Sequence, residues 1–70
     1  MITIETIRSS MLKSISYDEV EEVLTIIFAN GGEYNYFDVP KEIFNELINA
    51  ESEGKYFTAH IKNKYKYEKV

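Results

Sequence analysis

Val23-Leu24-Thr25-Ile26-Ile27-Phe28-Ala29-Asn30-Gly31-Gly32-Glu33-Tyr34-Asn35-Tyr36-Phe37-Asp38-Val39-Pro40 is the stretch that decides the fold. Its first six residues are β-branched, aromatic or leucine, and they read as a central strand buried on most of both faces. Asn30-Gly31 follows, a strong hairpin signal because both residues tolerate positive φ. Alternation then resumes over residues 33–39, with Tyr34 and Tyr36 on one face and Phe37 and Val39 on the other. Two such runs around a glycine-rich turn predict a β-hairpin. Pro40 ends the period of two, since proline suits the first helical position, where its missing N–H would be unpaired anyway.

Upstream, residues 11–17 alternate, with Met11, Ile15 and Tyr17 on one face and Leu12, Ser14 and Ser16 on the other. That is a strand pattern. Asp18-Glu19-Val20-Glu21-Glu22 supplies a polar connection, and residues 1–7 alternate as a short strand or a docked arm. Downstream, Ile43, Phe44, Leu47 and Ile48 recur at helical spacing through Ala50, with Asp38 just before the helix start. Ser52 is positioned as the N-cap of a second helix whose apolar set is Tyr56, Phe57, Ile61 and Tyr65. The last residues, 65–70, alternate aromatic and charged side chains and read as extended. Strands come first and helices after. This order predicts an α+β fold, an antiparallel three- to four-stranded meander followed by two short helices packed on one face. Residues 1–70 form a single domain.

A chain of 70 residues builds a small core and needs a staple. Cysteine is absent, so disulfides and thiolate metal sites are excluded. Ten aromatic residues offer packing in their place, and self-association as a homo-oligomer is the alternative. The longest apolar run, residues 23–29, falls far short of the roughly 20 residues of a membrane helix. No signal peptide is visible, so a cytoplasmic location is expected. Charge is divided unevenly. Residues 1–54 carry eleven acids against Arg8, Lys13 and Lys41, a net of −8; residues 55–70 carry five lysines against Glu68, a net of +4. Such asymmetry marks a polyanion-binding end or a solvated surface beside an acidic body.

Catalytic chemistry finds little support. His60 is the sole histidine, and no serine sits in a recognisable elbow. The pairs Glu21-Glu22 and Glu51/Glu53 lie in polar turns, where neighbouring carboxylates point different ways and cannot face each other across a cleft. No ligand spacing indicates a metal, no cofactor is implied, and a half-buried place on a helix accounts for His60. Gly54, beside Lys55 at a helix start, is an anion-binding candidate or a simple inter-helix turn.

The informative pattern is basic and aromatic interleaving: Lys55-Tyr56-Phe57, His60, Lys62 and Lys64-Tyr65-Lys66-Tyr67. Lysines pair with phosphates and exposed rings stack on bases, a mix that suits single-stranded nucleic acid or a nucleotide. The candidate ligand-binding residues are Lys55, Tyr56, His60, Lys62 and Lys64, with Tyr34 and Tyr36 extending a stacking surface. Packing in the core is the competing use for these rings. Arginine, the better phosphate fork, occurs once, at Arg8.

The runs Ser9-Ser10-Met11-Leu12, Ile15-Ser16-Tyr17-Asp18, Leu24-Thr25-Ile26-Ile27-Phe28, Asn30-Gly31-Gly32 and Tyr34-Asn35-Tyr36-Phe37-Asp38-Val39-Pro40 resemble the KTSC domain. So do Gly54-Lys55-Tyr56-Phe57, His60-Ile61 and Tyr65-Lys66-Tyr67. The likeness spans about residues 7–69, and Tyr34 and Tyr36 match the family's central Tyr-x-Tyr. KTSC domains occur at the C-terminus of some lysyl-tRNA synthetases and as small bacterial and phage proteins. The resemblance implies RNA binding, from the synthetase context. The acidic front half and the use of lysine here depart from a general RNA binder. The expectation is a small non-enzymatic binding module for a phosphate-bearing ligand, RNA or a nucleotide. The alternative is a protein–protein interaction or self-assembling protein, such as a phage-type inhibitor.

Overall fold

A computed structural model describes residues 2–5 and 10–70. Strands β1 (Ile2–Glu5), β2 (Leu12–Asp18), β3 (Val23–Phe28) and β4 (Glu33–Tyr36) lead into helices α1 (Lys41–Asn49) and α2 (Glu53–His60), and β5 (Tyr67–Lys69) follows. The architecture is α+β. Five strands form one antiparallel sheet in the order β1-β2-β3-β4-β5, more than the three or four expected. The stretch expected to be a short strand or a docked arm contributes one of them as β1, Ile2–Glu5, its residues 1, 6 and 7 lying outside the described residues. The other is β5, which returns after both helices to pair with β4.

Register explains which face is buried. Ile2, Tyr17, Leu24, Tyr36 and Tyr67 form one row across the sheet, and Ile4, Ile15, Ile26, Tyr34 and Lys69 the next. Both rows face the helices, where they meet Val39, Phe44, Leu47, Phe57 and Ile61. Fully burying each aliphatic side chain contributes about 1.5–3 kcal/mol, which makes this one-sided core the main source of stability. Tyr17 stacks on Phe44 with ring centroids 4.9 Å apart, and its hydroxyl donates to the Val39 carbonyl at 2.6 Å. Burial raises the Tyr17 pKa, helped by Glu22, Glu19 and Asp18.

The opposite face is polar along its middle row: Thr3, Ser16, Thr25, Asn35 and Glu68, one residue from each strand. Thr25 donates to the Asn35 side-chain oxygen at 2.6 Å, and the Thr3 and Ser16 hydroxyls lie 3.2 Å apart. Strand β3 is therefore fully buried on one face only, with Val23, Thr25 and Ile27 half-buried on the other. An antiparallel sheet tolerates one wet face.

Three local devices set the side-chain phase. In β2, Leu12 pairs with Phe28 and Ser14 with Ile27, so Lys13 is an extra, bulged residue. The bulge puts Leu12 in the core with Ile15 and Tyr17, whereas strict alternation assigned that place to Met11, which is 40% exposed. At Asp38 the chain adopts φ 56°, which turns Val39 inward although it is out of phase with Tyr36. In the hairpin, the Gly31 N–H donates to the Phe28 carbonyl at 2.9 Å and the Phe28 N–H to the Gly32 carbonyl at 2.7 Å. Only Gly31 there has positive φ, at 94°. Asn30 instead accepts the Gly32 N–H on its side-chain oxygen at 2.9 Å.

Pro40 is the N-cap of α1 and not its first helical residue. Ser52 caps α2, accepting the Lys55 N–H at 3.3 Å. A surface ion pair joins Lys41 to Glu19 at 3.1 Å.

Candidate functional site

The tip of the β3–β4 hairpin, the C-terminal part of α2 with the turn after it, and β5 enclose an open groove of about 520 Å³. Its floor is aromatic. Phe28 meets Tyr34 and Phe57 edge-on, each at 5.5 Å between ring centroids, and Tyr36 meets Phe57 at 5.4 Å. Such edge-to-face pairs favour a fixed arrangement of rings. Tyr67 forms a wall, 5.8 Å from Tyr34 and 5.5 Å from Tyr36. Lys62, Asn63, Lys69 and Asn30 supply polar groups.

The register of β5 creates this combination. Tyr67 lies opposite Tyr36 and Lys69 opposite Tyr34, so the period of two turns both toward the groove while Glu68 joins the polar face. The Phe37 N–H donates to the Lys66 carbonyl and the Val70 N–H to the Glu33 carbonyl, each at 2.9 Å, continuing the ladder past both ends of β5. Tyr36 is only 4% exposed, and burial, with the neighbouring Tyr67 and Tyr34, pushes its pKa up to about 12. Its phenol therefore stays neutral near pH 7.

The residues proposed from sequence divide into two places. Tyr34, Tyr36 and Lys62 line the groove. Tyr36 contributes only from the floor, because its ring is packed. Lys55, Tyr56, His60 and Lys64 lie outside the groove. Tyr56 donates its hydroxyl to Glu46 Oε1 at 3.2 Å, so it ties α2 to α1. Burial raises its pKa, with a further contribution from Glu46. The His60 ring sits 4.5 Å from the Tyr56 ring, and His60 is exposed, not half-buried. Lys55 and Lys64 are exposed as well. The start of α2 does not offer Gly54 as an anion cradle. Ser52 already takes the Lys55 N–H, and Glu53, 3% exposed, puts a carboxylate into the first turn, where the helix dipole favours negative charge.

Sequence reasoning left Tyr67, Lys69, Asn30 and Asn63 out of the site. A signal existed for the first two. Tyr67-Glu68-Lys69 has the alternation that places positions 67 and 69 on one face of a strand. Nothing local indicates which strand β5 joins, and the groove exists only because it joins β4.

No group of three or more His, Asp or Glu side chains is placed to hold a metal ion among the described residues. No described helix is long and apolar enough to cross a membrane.

Comparisons with known proteins agree with this architecture. A lysine–tRNA ligase of Nostoc punctiforme is 41% identical over 61 residues, covering 87% of this chain and 11% of the ligase. The chain thus spans about a tenth of that enzyme's length. A protein of Tsukamurella paurometabola is 32% identical over 62 residues, covering 89% of this chain and 92% of its own length. The crystal structure of a KTSC domain protein from Yersinia pestis superposes with a TM-score of 0.89 at 31% identity, covering 99% of both chains. The KTSC domain family matches residues 8–65. With that match over most of its length and a relative of nearly its own size, the chain belongs to the KTSC domain family.

Proposed function

We propose that this chain is a non-enzymatic binding module that holds a phosphate-bearing ligand, RNA or a nucleotide, in the aromatic groove. One observation carries the proposal: tyrosine rings and two lysines, Lys62 and Lys69, line the same cavity. Rings stack on bases of any sequence, and ammonium groups pair with phosphates. Tyr67 is 58% exposed and presents its ring to an incoming base. Support also comes from the relatives built into lysine–tRNA ligases, whose name records tRNA as their substrate.

The test is titration of the chain with nucleoside monophosphates and short oligoribonucleotides, followed by tyrosine fluorescence. The affinity is expected to fall about tenfold or more in Lys62→Glu and in Lys69→Glu. Lys64→Glu, exposed but outside the groove, is expected to change it little. Equal affinity in all three variants would remove the groove as the site.

Self-association is the second reading. The sheet ends in β1 and β5, and the outer ladder of each is unpaired among the described residues. An exposed edge is a template for a further strand. Light scattering that finds a monomer at every concentration tested would exclude it.

A further inference from the structure

Resting on the ligand class proposed above, we infer that the groove takes one nucleotide unit: a free nucleotide, or a single unpaired residue at a strand end, not a run of stacked bases. Successive bases need a continuous row of rings. No ring within the five strands lies on the open face, where the row crossing all five is Thr3, Ser16, Thr25, Asn35 and Glu68. The sheet's rings lie on the helix-covered face, and four of them, Phe28, Tyr34, Tyr36 and Tyr67, line the groove. A cavity of about 520 Å³ is in the size range of sites for one small molecule.

Charge sets the same limit. Two lysines line the groove, Lys62 and Lys69, enough for one or two phosphates. Residues 1–54 carry a net of −8, eleven acids against three bases, and residues 55–70 a net of +4 that includes the two groove lysines. A strand that leaves the groove over the acidic first 54 residues meets repulsion. Polar contacts within the groove lean toward donation. The Asn30 side-chain oxygen is engaged by the Gly32 N–H at 2.9 Å, which leaves the amide nitrogen to donate to a ligand acceptor. Tyr36 stays protonated near neutral pH, so its hydroxyl keeps a proton to offer.

The experiment titrates the full chain with the four nucleoside monophosphates and with mixed-sequence oligoribonucleotides of two, four and eight residues, at several salt concentrations. Affinity is expected to level off by the dinucleotide. The salt slope for the longest strand is expected near −1.4, two phosphate contacts at about 0.7 each. Monophosphates binding as tightly as the dinucleotide identify a free nucleotide; a dinucleotide binding more tightly identifies a strand end. Tyr67→Ala, a change at an exposed ring, is expected to lower affinity about tenfold for every ligand that binds. Affinity that climbs with each added residue, with a slope of about −3 or steeper, would overturn the one-unit inference and leave the ligand class standing. Absence of binding to every ligand would overturn both.

Discussion

Replacing Tyr17 with phenylalanine removes one oxygen from the centre of the molecule. The Tyr17 hydroxyl donates at 2.6 Å to the carbonyl of Val39, a residue with no exposed surface. The Val39 N–H donates to the Glu22 carbonyl at 2.9 Å, so both backbone groups of this residue are anchored to the β2–β3 end of the sheet. Phenylalanine keeps the ring and its stack on Phe44. The change therefore isolates the hydroxyl. A typical hydrogen bond contributes about 0.5–1.5 kcal/mol net, and a buried carbonyl left without its donor adds a desolvation cost, for an expected loss of about 1.5–2.5 kcal/mol. With a urea slope of about 1 kcal/mol/M for a domain this small, the unfolding midpoint should fall by roughly 1.5–2.5 M. The melting temperature should fall by about 10 °C. Urea titration of both proteins with far-ultraviolet circular dichroism is the assay. A loss below about 0.5 kcal/mol would refute the reasoning, because it would mean that water or a rearranged loop satisfies the Val39 carbonyl at almost no cost.

Other perturbations follow from the same structure. Glu22 adopts φ 56°. Glu22→Gly should relieve strain of about 1–2 kcal/mol against an entropic cost of about 0.5–1, for a net stabilisation of about 0.5–1 kcal/mol in urea. Tyr36 titrates at about 12 when folded, against 10 in the unfolded chain. The unfolded state therefore releases its proton first. Stability from this group is complete below pH 10 and is lost between pH 10 and about 12, by at most about 2–3 kcal/mol and by less where solvent screens the phenolate, measurable by urea titration across that range. Tyr56→Phe removes an exposed hydrogen bond to Glu46 and should cost at most about 1 kcal/mol, with ligand affinity unchanged because Tyr56 lies outside the groove.

The elements were legible where patterning and local geometry agree. Residues 23–28 and 33–36 are strands, the hairpin turns at Asn30-Gly31, and Ser52 caps α2 as its sequence indicates. Phase was less legible. Alternation across residues 11–17 put Met11 inward because a one-residue bulge at Lys13 has no sequence mark of its own. Val39 reaches the core because Asp38 takes a left-handed conformation that its neighbours do not announce. The site was half legible for a related reason. Composition pointed to lysines interleaved with aromatics, yet in α2 the aromatics Tyr56 and Phe57 are used for packing. The lysine and tyrosine that complete the groove come from β5, through a pairing between segments far apart in the chain.

That pairing has a kinetic consequence. The β2–β3 and β3–β4 contacts close short loops, whereas β4 can meet β5 only after the chain has travelled through both helices. Long loops cost more entropy to close, and contacts of this kind form late. Three exposed residues repay little of that cost. The wall of the groove is thus expected to assemble after the β2–β3–β4 meander and to open before it. Amides of β5 would exchange with solvent faster than those of β3, and an occupant touching Tyr67 and Lys69 would slow that exchange, acting as a clasp on the strand that holds it.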